Sequence, residues 1–373
     1  MSSQRTYKKL GEVANIYQPK TIAASALVED GQYPVYGANG VIGRYNEYNH
    51  DGAELLVGCR GSCGSVSIST PHSWINGNAM VIHPKDEFRK EISSKYLYYV
   101  LKGIDYSKVI TGGTIPQITR TKLSPVLVHI PSVNEQDTVV KELDSIHSII
   151  SAKNMQMEEL DALAQAIFYD SFGDPLENPK GWNVLKLSDV VDEQCKMSYG
   201  IVQPGDDIEG GVPVVRPVDF KDSVYIKKDG LKRTLPSISE SYKRTILRGD
   251  EILICVRGTT GTMGLATPDL KGCNVTRGIV PLYFKNGMNK WFMYEYLKSD
   301  FAQNIIAEYT YGATLKQINI GALRNIPVIV PPLDLQQSFA VKIQAIEAQK
   351  QTLRQSIAEF ESLLAQRMDV HFG

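Results

Sequence analysis

Gly112-Gly113-Thr114-Ile115-Pro116-Gln117-Ile118 returns two hundred positions later as Gly312-Ala313-Thr314-Leu315-Lys316-Gln317-Ile318. The register holds outward from there: Leu123, Val128, Pro131 and Gln136 meet Leu323, Val328, Pro331 and Gln336 at the same offset, and Phe172-Gly173 meets Phe372-Gly373. A single offset kept over some sixty residues is an internal duplication. Upstream the two copies stay in order with small changes of spacing, as loops of different length produce. Arg60-Gly61-Ser62-Cys63-Gly64-Ser65 answers Arg257-Gly258-Thr259-Thr260-Gly261-Thr262, each after an apolar run, and Leu10-Gly11-Glu12-Val13 answers Leu187-Ser188-Asp189-Val190. The chain is written twice.

Within each half the pattern changes at the proline. Before it, short β-branched and aromatic runs such as Tyr33-Pro34-Val35-Tyr36, Ala79-Met80-Val81-Ile82 and Val212-Pro213-Val214-Val215 are broken by Gly, Asn and Asp, which predicts strands and turns. Amphipathic stretches from Tyr96 to Lys102 and from Trp291 to Ile306 predict helices packed on them. After Pro131 and Pro331 come about forty residues almost without Gly or Pro, a long helix in each half. Ser132 with Glu135 offers a capping box for the first, and Asp334 with Gln337 a comparable start for the second.

The long helices carry matching apolar seams. Leu143, Ile146, Ile150, Met157, Leu160, Ala164 and Ile167 share one heptad frame, with Lys153 as its polar exception. Ile343, Ile346, Leu353, Ile357, Phe360 and Leu364 share the other, with Lys350 and Arg367 as exceptions. The simplest reading of Lys153 and Lys350 is a stem lying along the seam with its ammonium in solvent; the alternative is a pair with a bound partner. The expected fold class is α+β: two mixed α/β domains related by pseudo-two-fold symmetry, separated by two long antiparallel, coiled-coil-like helices. The expected limits are a first domain over 1–131, a central helix over 132–173, a second domain over 174–331 and a C-terminal helix over 332–373. The result is a dumbbell whose tail, Phe372-Gly373, returns to the first domain.

Composition sets the outer limits. With 373 residues, 43% of them hydrophobic, the chain can bury two or three sizeable cores. No apolar run approaches a membrane span, and the polar start lacks the core of a secretory signal, so the expected location is the cytoplasm, with no membrane partner. Five cysteines without a C-x-x-C motif fit a reducing compartment; Cys59 and Cys63 lack a second ligand pair, so they read as buried or incidental thiols rather than half a metal site. The six histidines are scattered without ligand spacing. There is no phosphate loop, zincin helix, nucleophile elbow, dinucleotide fingerprint or amino-methyltransferase Pro-Pro segment, which disfavours an enzyme. Net charge is −1, so a nucleic-acid surface has to come from local segregation of charge.

Two copies of one domain at a fixed spacing suit an extended ligand with repeat character, of which duplex DNA is the leading case. The segment from Pro179-Lys180-Gly181-Trp182 to Leu187-Ser188-Asp189-Val190, the Gly-Gly-Thr and Gly-Ala-Thr segments ending in Gln-Ile, the prolines before Glu135-Gln136 and Leu335-Gln336-Gln337, and the Phe-Gly helix ends resemble Type I restriction-modification specificity subunits. The resemblance covers essentially the whole chain and rests on the order of motifs rather than any single one. Leu335 departs from it, standing where the first half has Glu135, which puts a shared cap in doubt. The resemblance implies a non-catalytic protein with two target-recognition domains for an asymmetric, bipartite site on double-stranded DNA. It also implies two methyltransferase subunits held by the long helices, and restriction subunits joined through that core. S-adenosylmethionine, ATP and Mg2+ would then sit on the partners and none on this chain. The alternatives are a specificity subunit of a related methyltransferase or nuclease system, and a structural or carbohydrate-binding repeat protein.

The Arg-Gly turns have the chemistry of a DNA contact. Glycine permits close backbone approach, the hydroxyls of Ser62, Ser65, Thr259, Thr260 and Thr262 can meet phosphate, and Arg60 or Arg257 can reach a guanine edge. The other reading is a tight turn between strands with the arginine in a structural pair. Thr114, Gln117, Thr119 and Arg120, with Thr314, Lys316, Gln317 and Asn319, form a second candidate loop in each half. Because Gln117 and Gln317 recur, they suit structure or phosphate better than base reading. Residues that differ between halves suit base reading: Arg120, Lys316, Asn319, Asn76, Asn78, Thr276 and Arg277.

Overall fold

The structure, a computed structural model, describes residues 7–373 except 115, 196, 222 and 313–315. The chain divides into two units, one of residues 1–153 with 356–373 and one of residues 154–355.

Each unit is built on a strand that alternates between two cores. In unit 1 Leu55–Gly58 lies antiparallel to both Ala79–Pro84 and Val66–Ile68, with Ala14–Tyr17 on the far side of Ala79–Pro84. Successive side chains of a strand face opposite ways, so Leu55 and Val57 enter one core while Leu56 joins Tyr36, Ile75 and Val81 in another. The first core is closed by Tyr96, Leu97 and Leu101 of the helix Ser94–Gly103. Unit 2 repeats the division. Ile252 and Ile254 of Ile252–Cys255 face the larger core, and Leu253 and Cys255 face the smaller. With both faces covered, a continuous apolar run is what such a strand requires.

The remaining strands also come in matched sets. Tyr33–Gly37 pairs antiparallel with Gly40–Tyr45 and parallel with Trp74–Ile75; Val212–Val215 pairs antiparallel with Lys232–Thr234 and parallel with Asn274–Val275. Tyr7–Lys9 with Leu127–His129 answers Asn183–Lys186 with Pro327–Val330, and Ile110–Thr111 with Gln117–Ile118 answers Thr310–Tyr311 with Gln317–Ile318. One sequence expectation changes. The helix expected from Trp291 to Ile306 is two, Lys290–Lys298 and Asp300–Glu308, because Ser299 is extended and its hydroxyl accepts from the Ala302 amide to start the second.

The two long helices, Val133–Phe172 and Leu333–Phe372, have 40 residues each, about 60 Å at 1.5 Å per residue. In unit 1 Glu142 pairs with Arg367 and His371, and the Lys153 ammonium lies 5.7 Å from the Phe360 ring centre. In unit 2 Asp161 pairs with Lys350. Positions rise on one helix as they fall on the other, so the pair runs antiparallel in each unit. Phe372 packs against Tyr96, with ring centres 5.7 Å apart, which brings the end of the C-terminal helix onto unit 1. Leu143, Ile146, Ala164, Ile343 and Ile346 of the expected seam are buried, where sheet and helix form a third layer over it. Ile150, Met157, Leu353 and Ile357 are half-buried, since two helices alone cannot enclose their seam.

Lys350 corrects the simplest reading of the seam cations. It is 5% exposed, and its Nζ donates to Asp161 at 2.9 Å and Glu347 at 2.9 Å. Lys298 donates to the same Asp161 oxygen at 2.7 Å, and Arg354 stands 3.6 Å from Glu347. The ammonium is therefore held inside unit 2 by two carboxylates. Burial pushes the Asp161 carboxyl up, but the hydrogen bonds and charges of Lys298 and Lys350 outweigh it and leave the group below its ordinary range.

The recurring glutamines explain why both long helices start where they do. Gln136 is fully buried; its amide donates to the carbonyls of Glu91 (2.7 Å) and Pro131 (2.9 Å) and accepts from the Ser93 amide (3.0 Å). Gln336 makes the same three bonds, to Gly287 (3.2 Å), Pro331 (2.8 Å) and Asn289 (2.8 Å). Ser93 and Asn289 are the N-caps of Ser94–Gly103 and Lys290–Lys298, so one side chain fastens a long helix to a short one in each unit. Ser132 and Glu135 form the expected capping box, Ser132 N–H donating to Glu135 at 3.0 Å and Glu135 N–H to Ser132 Oγ at 3.4 Å. Asp334 and Gln337 form no such bond among the described residues; Gln336 secures that end instead. Replacing Gln136 by leucine keeps the volume but strands a buried amide and two carbonyls, and is expected to cost unit 1 about 2 kcal/mol in urea unfolding. Unchanged stability would remove the latch from this account.

Candidate nucleic-acid interface

Both principal strands end in the same turn. In unit 1 the Gly58 amide donates to Ser65 O (2.7 Å), Gly64 to Gly58 O (2.9 Å), Cys59 to Asn78 O (2.8 Å), and Ile118 to Cys59 O (3.0 Å). In unit 2 Cys255 donates to Thr262 O (2.8 Å), Gly261 to Cys255 O (2.9 Å), Val256 to Gly278 O (2.8 Å), and Ile318 to Val256 O (3.0 Å). The second glycine is required twice over. Gly64 has φ +83° and a side chain there would begin 2.7 Å from the Tyr106 ring; Gly261 has φ +86° and would meet Gln303 at 2.6 Å.

The turn holds each arginine beside a glutamine through an isolated bridge, Arg60 to Gln117 and Arg257 to Gln317. Arg60 is exposed, and its guanidinium makes no hydrogen bond to a described residue. Arg257 is half-buried and donates to Gln317 Oε1 through Nε (3.2 Å) and Nη2 (2.9 Å). The partner is a neutral amide, so Arg257 keeps its full charge and three of its five donors.

Around these arginines the structure gathers most of the candidate residues. Ser62, Thr114, Thr259, Thr262, Arg277 and Lys316 are exposed. The Lys316 carbonyl accepts from the Gly258 amide at 2.8 Å, and the Asn78 carbonyl from the amides of Cys59 and Arg60, which fixes both residues next to the turn. Ser65 Oγ donates to Asn39 at 2.8 Å, Thr260 accepts from Thr310 at 3.3 Å, and Thr276 Oγ donates to Val215 O at 3.4 Å. Arg120 is exposed over a cleft lined by Lys9, Glu12, Asn15 and Lys85. Two candidates have structural work. Asn76 is buried with its amide bonded both ways to the Ile22 backbone, and Asn319 caps Ile320–Arg324 by accepting from the Gly321 amide at 2.8 Å. Thr314 lies outside the described residues.

Asn39 was not anticipated as a neighbour of the turn, although Asn39-Gly40 is a strong hairpin signal and the only hint available. Burial pushes the Cys59 thiol up, and the Cys255 thiol up to about 11, so both stay protonated. No three His, Cys, Asp or Glu among the described residues are grouped to hold a metal, and no helix among them is long and apolar enough to cross a membrane.

Two copies of one scaffold, each setting an arginine turn at the end of its main sheet, define a duplicated recognition protein. The sequence matches the Type I restriction modification DNA specificity domain over residues 3–161 and 179–362, and the chain belongs to that family as a specificity subunit, the non-catalytic component that determines which DNA target is recognised. It is similar to the Type I restriction enzyme EcoBI specificity subunit of Escherichia coli, with 20% identity over 336 residues, 82% of this chain and 69% of the relative. In structure it resembles the crystallised S subunit of the Type-I restriction-modification system from M. genitalium, with a TM-score of 0.62 at 15% identity, covering 100% of this chain and 97% of that one. It also resembles a chain solved to explain complex assembly and conformational transition of the type I R-M system, with a TM-score of 0.55 at 18% identity over 98% and 97% of the two chains. The shared fold is two α/β regions separated by two long helices that pack together.

Proposed function

We propose that each unit reads one half of an asymmetric, bipartite site on double-stranded DNA, with an unread gap between the halves. The recognition domains span 1–131 and 174–331, and the long helices over 132–173 and 332–373 hold two methyltransferase subunits, through which restriction subunits join. Adenine methylation and cleavage, with S-adenosylmethionine, ATP and Mg2+, belong to those partners, and the complex works in the cytoplasm. The observation that carries this reading is the pair of arginine turns, alike in backbone and different in side chains. Common backbone geometry suits contacts to phosphate, which repeats along DNA; Asn78 against Gly278, or Pro116 against Lys316, supplies the differences that base edges demand. Arg60, Ser62, Ser65, Thr114 and Gln117 in unit 1, and Arg257, Thr259, Thr262, Arg277, Lys316 and Gln317 in unit 2, are the contacts this reading favours.

Exchanging residues 14–110 for the corresponding region of a relative is the direct test, in cells that also make the methyltransferase. Sequencing the methylated motif should show one half-site changed and the other retained. A change in both halves, or methylation that ignores the exchange, would defeat the proposal.

A further inference from the structure

The arginine turn of unit 1 has a neighbour that the duplicated motifs do not mark. The hairpin of Tyr33–Gly37 and Gly40–Tyr45 turns through Ala38 and Asn39, and its tip presses on the turn: a side chain at Gly58 would lie 2.5 Å from Ala38 O and 2.3 Å from Ser62 O. Ser65 Oγ bonds Asn39 across the same junction at 2.8 Å. Next to this contact the hairpin carries a bulge. Tyr36 pairs with Val41 and Val35 with Gly43, which leaves Ile42 without a cross-strand partner. A bulge re-aims side chains, and here it defeats the alternation that sends one of two neighbours inward. Val41 is 57% exposed and Ile42 48%. Gly37 leaves room for Ile42, since a side chain at Gly37 would begin 2.8 Å from Ile42 Cγ2.

Unit 2 reaches the same arrangement by a different route. Its strand Val212–Val215 leads into a short turn, Pro217–Asp219, locked by Arg216, whose backbone amide and guanidinium donate to Asp219 at 2.7 and 2.8 Å. Pro217 sits over Gly278, 3.0 Å from where a side chain would start, and Arg257 Cβ is 3.7 Å from the same point. Val218, beside it, is 71% exposed. Single exposed apolar residues are ordinary on a protein surface. Exposed β-branched residues on the connection that leaves the matched strands Tyr33–Gly37 and Val212–Val215, beside the Ala38 and Pro217 contacts with the arginine turn, are not.

We infer that these tips are specificity determinants, with Val41 and Ile42 in unit 1 and Val218 in unit 2 reading the 5-methyl group of a thymine next to the bases addressed by Arg60 and Arg257. The methyl group is the apolar mark on a base edge in the major groove, and an aliphatic side chain is its natural complement. A hairpin tip can enter that groove where a flat sheet face cannot. This inference rests on the DNA-reading function proposed above.

The test uses the full chain complexed with its methyltransferase and synthetic duplexes bearing the mapped motif, each thymine replaced in turn by deoxyuridine. Wild type should bind about fourfold more weakly at one position of the half-site read by unit 1, matching the ~0.8 kcal/mol of one buried methyl group. Val41→Ser/Ile42→Ser should bind the thymine and uracil duplexes equally. Val41→Thr/Ile42→Thr, which retains β-branching, should fall between them. Wild type indifferent to every replacement, variants as sensitive as wild type, or variants that lose the methyltransferase would overturn the inference. Failure of the DNA-reading function itself looks different: no preference for the motif over a scrambled duplex.

Discussion

Lys350→Met should destabilise unit 2 by about 3 kcal/mol. The substitution keeps the stem and removes a charge that is 5% exposed, stranding Glu347, which is 6% exposed, with Arg354 at 3.6 Å as its remaining cation. Removing one member of a buried ion pair costs roughly 3–5 kcal/mol because the other charge is left in a poor dielectric. The lower end applies here, since Asp161 is 44% exposed at its side chain and retains Lys298. Hydrogen exchange at the central-helix amides around Asp161, measured against urea, reports on this unit. Acid supplies an independent check. Asp161 is held below its ordinary range in the folded chain, so its contribution is present above the unfolded pKa of about 3.9 and disappears as pH falls through the lower folded value. Lys350→Met weakens that depression, so the gap between variant and wild type should narrow on acidification through this range. A variant as stable as wild type at neutral pH would mean the network contributes nothing net.

A matched insertion should change the length of the DNA site without changing what is read. Four residues added after Lys153 and four after Gln355 fall at the boundaries between the units, so Lys153 keeps Phe360 within unit 1 and Asp161 keeps Lys350 within unit 2. One added turn lengthens each helix by about 6 Å, against about 3.4 Å per base pair, so the unread gap should grow by one or two base pairs. Motif sequencing of methylated DNA from cells carrying the lengthened chain with its partners measures the gap directly. The half-sites should be unchanged, because no residue of either sheet has been altered. An active chain with an unaltered gap would show that the helices do not set the spacing.

The duplication was legible in the sequence because it survives as a register, and the long helices because forty residues without a breaker leave few alternatives. The cores were partly legible: runs such as Leu55-Leu56-Val57 announce a strand buried on both faces without naming the two cores that cover it. Gln136 and Gln336 stood in plain view as a recurring pair, but a lone glutamine carries no periodicity, and two of its three partners come from another loop. Lys350 was misread because its heptad position describes one helix, while Asp161 and Lys298 reach it from elsewhere in unit 2. For the interface, residue types were readable and orientations were not. Asn76 and Thr276 occupy corresponding places after a strand, yet one is buried and bonded to Ile22 and the other is half-exposed.

Unit 2 is made from one continuous stretch, 154–355, whereas unit 1 needs residues 356–373, with Leu364, Met368 and Phe372 packing against the core that contains Tyr96 and Leu97. Domains ordinarily close in the order in which the ribosome delivers them. Here the order is reversed: the unit begun first waits, with part of its apolar surface uncovered, while the whole of the other is synthesised. During that interval nascent unit 1 is the half left with apolar surface that a chaperone can bind, and a message truncated just after residue 355 would yield a chain whose second unit is whole and whose first is not.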